Sequence, residues 1–523
     1  MLAPLKVLEQ LRARLHETIS LLPHDQADGF ASLILELPHA LTIAPELPGP
    51  QFHFAHNHRG QLRAGYGIAG EWLAEGVDRL PTLGAMVKTA TANWSQIDPD
   101  ETGFTGFGML GFAAAPVEKS QSILCNKSLQ PSCLDQSPQP PFFQGGLSDS
   151  PPLGKRGFSS TPSLEKEGIS STPPFEKGGA GGISSDTLPN ALFWLPELAL
   201  CGQAGQAALI LTTALPVKRE ALLPRWLAQL EAIVPLLAQP ALDPLTPAHL
   251  ERGVSEPDFP VWQELVNTAL TDIALARLEK VVIGRRLRLE GQRRFDLTRL
   301  SAALGYLFPS CQVINIRRGA SSFVAATPER LFTQCRDRIE ADALAGTTSR
   351  AEDAERDAAM TLELLHCEKN LREHQVVVNA VTAALRQCSV QLDVPDGPRI
   401  LQLNNAQHLW SIVRGQLAPE VDVFRLAQLL HPTPATNGQP RQAARAWLQQ
   451  TEPLARGWYT GAAGIVTPDL TGELWVLLRC ARINERIADL YAGAGIVAGS
   501  DALSEWQETE HKLAAMSTAL QFA

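Results

Sequence analysis

Apolar and polar positions alternate in two different rhythms along this chain. The first segment, MLAPLKVLEQLRARLHETISLL, repeats its apolar residues at helical spacing. GFTGFGMLGFAAAP, ending at Pro116, is a Gly/Phe-rich strand pattern. LPNALFWLPELALCG from Leu188 and QAALILTTAL from Gln206 read as further strands. A helix is expected over Leu222–Val234, ended by Pro235. Composition shifts again near Asp243–Pro260, and from Trp262 the pattern is dense. Val261–Ala276 reads as a helix and Lys280–Leu289 as a strand with a basic tail. Val313–Arg317 and Ser322–Ala326 form a hairpin around Arg318, Gly319 and Ala320. Asp357–Leu385 reads as one long amphipathic helix, with Leu362, Leu365, Val377, Val381 and Ala384 on its core stripe. Leu474–Ile483 and Arg486–Ala492 are strands joined by Asn484 and Glu485, and Ser504–Gln521 is a closing helix. Strands and helices cluster instead of strictly alternating, so the expected class is α+β with antiparallel sheet, not a doubly wound fold.

One stretch fits neither rhythm. From Ser137 to Ala180 the chain can be cut into four tandem 11-residue copies: SPQPPFFQGGL, SDSPPLGKRGF, SSTPSLEKEGI and SSTPPFEKGGA. An 11-residue period suits a right-handed coiled coil, but every copy carries proline, which forbids it. Ser, Pro and Gly dominate, so the copies cannot bury a core. The expectation is a disordered insert over Val117–Thr187, in a loop between two paired strands; a proline-rich ligand for a partner domain is the alternative.

Composition narrows the class. The 523 residues are 45% hydrophobic and 19% charged, enough apolar material for a large core. Clear apolar runs such as Ala191–Leu195 fall far short of the ~18 residues of a membrane span, so no membrane association is expected. Net charge is −10 and aromatics are 6%, which argues against nucleic acid as a partner. The eight cysteines form no CxxC pair and are irregularly spaced. Neither structural zinc nor a disulfide framework is expected. The N-terminal segment carries Glu9 and Glu17 and lacks a signal-peptide pattern, so the expected compartment is a reducing cytoplasm.

Several positions could carry chemistry. Glu505, Glu508 and Lys512 share one face of the closing helix. Two carboxylates on one turn repel unless a cation sits between them, and a hard divalent ion is one candidate; a solvated face with one Glu–Lys pair is the plain alternative. Glu373, in the run Glu368, Lys369, Arg372, Glu373 and His374, could join them, whereas His374 reads as a surface or packing residue. Gly493 and Gly495 in YAGAGIV let backbone approach a small anion closely, though the run is a poor dinucleotide fingerprint. Ala343–Thr347 reads as a second Gly-containing turn able to bind a carboxylate. Lys280 opens an apolar strand, where it either snorkels to the rim or is buried and can act as a base. Glu329 after Thr327–Pro328 could equally be a helix-capping carboxylate.

Taken together and in order, these stretches resemble the chorismate-utilising enzyme family, which includes isochorismate, salicylate, anthranilate and aminodeoxychorismate synthases. The matching residues are EKVV at 279–282, TPERL at 327–331, ALAGT at 343–347, EKNLREH at 368–374, LLRCA at 477–481, YAGAGIV at 491–497 and EWQET at 505–509. The likeness covers residues 259–523 as a chorismate-binding catalytic region, and residues 1–116 and 188–258 more loosely as the N-terminal part; the repeats have no counterpart. It implies a large α/β sandwich of two antiparallel sheets flanked by helices, and Mg²⁺ as cofactor.

The resemblance also implies roles. Glu373 and Glu508, with Glu505 beside them, would bind Mg²⁺; the ion and Lys512 would hold the ring carboxylate of chorismate. Arg479, Tyr459 and the backbone of Gly493, Ala494 and Gly495 would hold the enolpyruvyl carboxylate. Gly346 and Thr347 would line the pocket and His408 would sit near the ring. Lys280 would be the base on water at C2 and Glu329 the acid at C4, since water is a poor nucleophile and hydroxide a poor leaving group. Anthranilate synthases usually carry glutamine where Lys280 stands, and aminodeoxychorismate synthases a lysine where Ala345 stands. The expected product is therefore isochorismate, for menaquinone or phylloquinone synthesis, with no glutamine amidotransferase subunit. Salicylate synthesis, a siderophore pathway and a non-enzymatic scaffold are the alternatives.

Overall fold

The computed structural model describes residues 4–23, 26–38, 41, 44–116, 188–237, 247–404 and 406–523. The repeats, and with them the expected disordered insert, lie outside the described residues.

Two large sheets organise the described residues. The first has thirteen strands, running in space from Leu250–Glu256 through Lys280–Gly291, Ile487–Ile496, Cys480–Asn484, Ser321–Thr327, Gln312–Arg318 and Gln51–His56 to Phe30–Leu37 and Trp94–Ile97. The second has ten strands and includes Ala406–Leu417, Arg338–Ser349, Arg330–Cys335, Gly472–Val476, Ala462–Val466, Gly108–Phe112 and Ala191–Leu195. Pairing is antiparallel except between Phe30–Leu37 and Trp94–Ile97. Inward-facing residues of both sheets, among them Phe52, Phe54, Met109, Trp194, Ile314 and Trp475, meet in one core layer. Helices cover the outer faces: Pro4–Thr18 and Arg219–Leu237 at one end, Leu297–Leu307 and Ala502–Leu520 beside them, and Glu368–Leu385 and Val423–Leu430 on the ten-stranded sheet. This is the expected α+β sandwich. Among the described residues no helix is long and apolar enough to cross a membrane.

Four local expectations change. The helix at Arg219–Leu237 extends beyond both predicted ends and contains Pro224 and Pro235. Pro224, the sixth residue, lies beyond the first four N–H groups, so the helix forgoes one bond to the carbonyl four residues back. The single helix expected over 357–385 is two, Ala354–His366 and Glu368–Leu385, because Cys367 is extended at φ −71°, ψ 108°. Leu362 is accordingly 59% exposed, and Leu364 takes the core position. The Ala343–Thr347 stretch is no turn but a bulge inside a strand, between Ala345 and Thr347, with Gly346 at φ +77°. Here a residue without Cβ suits the left-handed backbone.

The fourth change makes the site. The strand expected over 474–483 is two strands in different sheets, Gly472–Val476 and Cys480–Asn484. Between them Arg479 turns with φ +47°. A second crossing, at Pro328 and Glu329, joins Ser321–Thr327 to Arg330–Cys335. The two crossings are tied together: Val476 N donates to Glu329 O at 3.0 Å, and Ala326 N to Arg479 O at 3.1 Å. Both bring a charged side chain to the same place.

Candidate active site

A pocket opens at these crossings. Its walls include Glu329, Gly346, Thr347, Lys369, Glu373, His408, Tyr459, Arg479, Gly493, Gly495, Glu505, Glu508 and Lys512. Residues far apart in sequence converge because four elements meet there: the bulged strand, the Glu368–Leu385 helix, the strand Ile487–Ile496 and the closing helix.

Three carboxylates and three lysines pair one to one. Lys280 Nζ donates to Glu373 Oε1 at 2.7 Å, Lys512 Nζ to Glu508 Oε1 at 2.6 Å, and Lys369 Nζ to Glu505 Oε1 at 3.2 Å. Lys512 Nζ also donates to Gly493 O at 2.9 Å. Burial pushes the Glu505 carboxyl up and Glu508 beside it adds to the rise, with Lys369 opposing. For Glu508 burial is outweighed by Lys512, Lys369 and Lys280, which hold it below its ordinary value. Lys369 is raised despite burial because Glu505, Glu373 and Glu508 all surround it. It was not singled out from sequence, although it precedes Glu373 by one helical turn in the run already noted.

Lys280 is 1% exposed and stands behind Gly495; an added Cβ at 495 would lie 2.8 Å from Lys280 Cε. Strand alternation explains Ala494: its side chain is buried in the opposite core with Trp262 and Ile496, leaving only backbone near the pocket. Tyr459 is buried, stacks on Tyr491 at 5.4 Å and is raised by burial. His374, read as a surface or packing residue, is a packing one: it is buried with Nε2 2.9 Å from Ser411 Oγ.

Glu329 ends its strand without capping any helix. It is 4% exposed, and burial pushes its carboxyl up to about 8, with Asp342 adding to the rise and Lys280 and Lys512 opposing it. Asp342 itself binds Arg330 at 3.0 Å. Opposite, His408 bridges Thr347 Oγ1 (3.0 Å) and Arg479 Nη2 (3.1 Å). Arg479 Nη1 is buried with no geometrically defined hydrogen bond, and the Cys311 thiol is the other group beside the guanidinium. A buried guanidinium nitrogen left free is costly unless an anion completes it.

The closing helix is held in register from the sheet. Arg285, fully buried, donates Nε to Thr509 Oγ1 at 2.6 Å and Nη2 to Glu510 Oε1 at 2.7 Å, and lies 3.7 Å over the Trp506 ring. These contacts interleave with Glu505 and Glu508, so the sheet sets where both carboxylates point.

The fold and the pocket thus define a two-sheet α/β protein with an acid, a buried lysine and an anion-seeking arginine around one cleft. Residues 174–521 match the family described as chorismate binding enzyme, and the chain belongs to that family. It is 34% identical over 268 residues to the isochorismate synthase MenF of Bacillus subtilis, covering 51% of this chain and 57% of that protein. It is 37% identical over 264 residues to the salicylate biosynthesis isochorismate synthase of Pseudomonas aeruginosa, covering 50% and 54%. The match therefore spans little more than half the length of these relatives. Among solved structures, the menaquinone-specific isochorismate synthase MenF of Escherichia coli superposes with a TM-score of 0.71 at 23% identity, over 99% of this chain and 100% of that one, a likeness of fold.

Proposed function

We propose that this chain is an isochorismate synthase, which adds water at C2 of chorismate and expels the C4 hydroxyl. The observation that carries this reading is Glu329: a carboxyl pushed up to about 8 stays protonated at neutral pH and can donate. Its proton goes to the leaving hydroxyl, which departs as water. Lys280, which must enter the reaction as the neutral amine, takes the proton of the attacking water as the new C2–O bond forms and the ring double bonds shift. One water enters and one leaves, so the net change is an isomerisation. The free Nη1 of Arg479 suits the enolpyruvyl carboxylate, with Tyr459 and the Gly493–Gly495 backbone beside it. Lys512 suits the ring carboxylate.

Among the described residues no group of three or more His, Cys, Asp or Glu is placed to hold a metal ion, because each glutamate here turns to its lysine. The donors nonetheless fit a hard divalent cation: Glu373, Glu505 and Glu508 line one pocket, and Glu505 and Glu508 repel each other. Glu373, Glu505 and Glu508 would hold Mg²⁺, which when bound would supply positive charge beside the substrate's ring carboxylate.

Water as nucleophile needs no amidotransferase subunit, and Lys280 with Ala345 supports water over ammonia. The six described cysteines are all free, which suits a reducing cytoplasm. Menaquinone or phylloquinone synthesis is the proposed destination of the product, with a siderophore pathway as the alternative; the relatives named isochorismate synthase MenF support the first. The test is incubation with chorismate and Mg²⁺, followed by separation of products. Isochorismate alone supports the reading; salicylate with pyruvate makes the chain a salicylate synthase; unchanged chorismate rejects both.

A further inference from the structure

A second cavity lies on the outer face of the thirteen-stranded sheet, under the helix Leu297–Leu307. Its floor is built by cross-strand neighbours: Asn315 pairs with His53 and Val313 with Ala55, while Leu62 follows on the next strand. Ser301 and Ala302 of the helix form its roof, and Tyr306, 84% exposed, stands at the rim. The helix is anchored there by Asn57 Nδ2, which donates to Gly305 O at 2.8 Å.

Two features set this cavity apart. Its polar groups are unspent: His53 Nε2, Asn315 Oδ1 and Ser301 Oγ are buried without a partner, and His53 and Asn315 are only 7% and 2% exposed. A fold seldom leaves several such atoms unpaired around one cavity, since each loses its hydrogen bonds to water on burial. The cavity is also uncharged. Among its described lining residues there is no lysine, arginine, aspartate or glutamate, and burial with Arg317 nearby holds His53 neutral, its pKa lowered to about 3. The catalytic pocket, by contrast, is ringed by charges of both signs.

We propose that this cavity binds a small uncharged aromatic molecule carrying a hydroxyl or carboxamide group. The hydrogen-bond donor of such a ligand meets Asn315 Oδ1. Its acceptor meets Ser301 Oγ or His53. Its ring lies on Val313, Ala55 and Leu62, beside the tilted His53–Tyr66 ring pair at 5.5 Å. A carboxylate ligand is disfavoured because no lysine or arginine lines the cavity and the nearby Arg317 is already paired with Glu46.

The test is direct binding to the full chain, with phenol and benzamide as probes and benzoate as the charged counterpart, without chorismate. The site predicts saturable binding of phenol and benzamide, with benzoate at least about tenfold weaker. Asn315→Leu removes the acceptor and Ala302→Phe fills the space from the helix surface. Each should weaken binding by at least about tenfold. Ala302→Phe keeps the test decisive if Asn315→Leu does not fold. No saturable binding, equal binding of benzoate, or undiminished binding in folded Ala302→Phe would overturn the proposal. Binding is read without turnover, so failure here is independent of failure of the synthase reading.

Discussion

Arg479 Nη2 and His408 Nε2 lie 3.1 Å apart, and that contact fixes the state of the imidazole. A guanidinium only donates, so Nε2 must accept and the ring hydrogen sits on Nδ1, facing Thr347 Oγ1 at 3.0 Å. Burial, with Arg479 and Lys512, holds His408 well below its ordinary pKa, which agrees with a neutral ring. The neutral imidazole steadies one arm of Arg479 and leaves Nη1 free for an anion. Arg479→Lys should therefore raise KM for chorismate at least about tenfold, with a smaller effect on kcat. Steady-state kinetics check this; an unchanged KM would remove Arg479 from substrate binding.

Glu329 makes stability fall with rising pH, and its proposed role makes activity fall in the same sense. If it donates the proton, activity falls as pH rises through about 8. For stability, the folded pKa lies above the ordinary 4.5. Its contribution is thus fully present below about pH 4.5 and is lost as pH climbs towards 8, where the buried carboxyl must ionise. Glu329→Gln should cut turnover by roughly 10²-fold. The same variant should be more stable than the parent at pH 9, by on the order of a few kcal/mol, and similar at pH 4.5. Melting curves at both pH values decide it. A variant less stable at pH 9 would contradict the assigned ionisation.

Gly495 tests the lysine without touching it. A methyl group there would meet Lys280 Cε at 2.8 Å and Glu373 Oε1 at 3.1 Å, both ends of flexible side chains. Gly495→Ala should fold with little loss of stability yet lose at least about tenfold in turnover, as Lys280 is pushed off line. Lys280→Ala should lose roughly 10²-fold or more while chorismate still binds. Normal turnover in Lys280→Ala would mean that another group is the base.

Much of this site was legible before the fold. Lys280, Glu329, Glu373, Arg479, Glu505, Glu508 and Lys512 are each weak signals alone and are picked out by the family resemblance, and the pocket brings most of them together. What periodicity hid was long-range. A run of strand-like residues over 474–483 gives no local sign that the chain leaves one sheet for the other at Arg479. Apolar spacing across 357–385 continues through Cys367 although the backbone does not. Asp342, which helps keep Glu329 protonated, lies in a different strand and carries no motif of its own. The unspent His53 and Asn315 became a pair only when their strands aligned.

The carboxylate trio makes a separate prediction. Glu505 and Glu508 share a face, and Lys369 sits among both and Glu373 as one of three lysine counter-charges, with Lys280 and Lys512. If Mg²⁺ joins them during catalysis, Glu373→Gln and Glu508→Gln should each raise the Mg²⁺ concentration needed for half-maximal activity. Titration of activity with Mg²⁺ measures this. Full activity in excess chelator would reject the metal role.

The last prediction concerns residues 117–187. The strands on either side, Gly108–Phe112 and Ala191–Leu195, are direct antiparallel partners, with Phe112 opposite Ala191. Beyond the ladder the pairing continues: Ala113 N donates to Asn190 O at 2.9 Å, and Asn190 Nδ2 to Ala115 O at 2.8 Å. The chain thus leaves and re-enters the sheet where a hairpin turn would close it. Replacing residues 117–187 by a short Gly/Ser turn amounts to about four halvings of loop length, a closure-entropy change of roughly 2.4 kcal/mol in favour of the folded state. The candidate active-site pocket draws no described wall from these flanks. The shortened protein should therefore melt at the same temperature or slightly higher, and turn over chorismate at the parent rate. Melting curves and product assays on the two proteins side by side measure both quantities. A shortened protein that folds but loses activity would instead give the repeats a part in the reaction, and one that misfolds would give them a part in the fold.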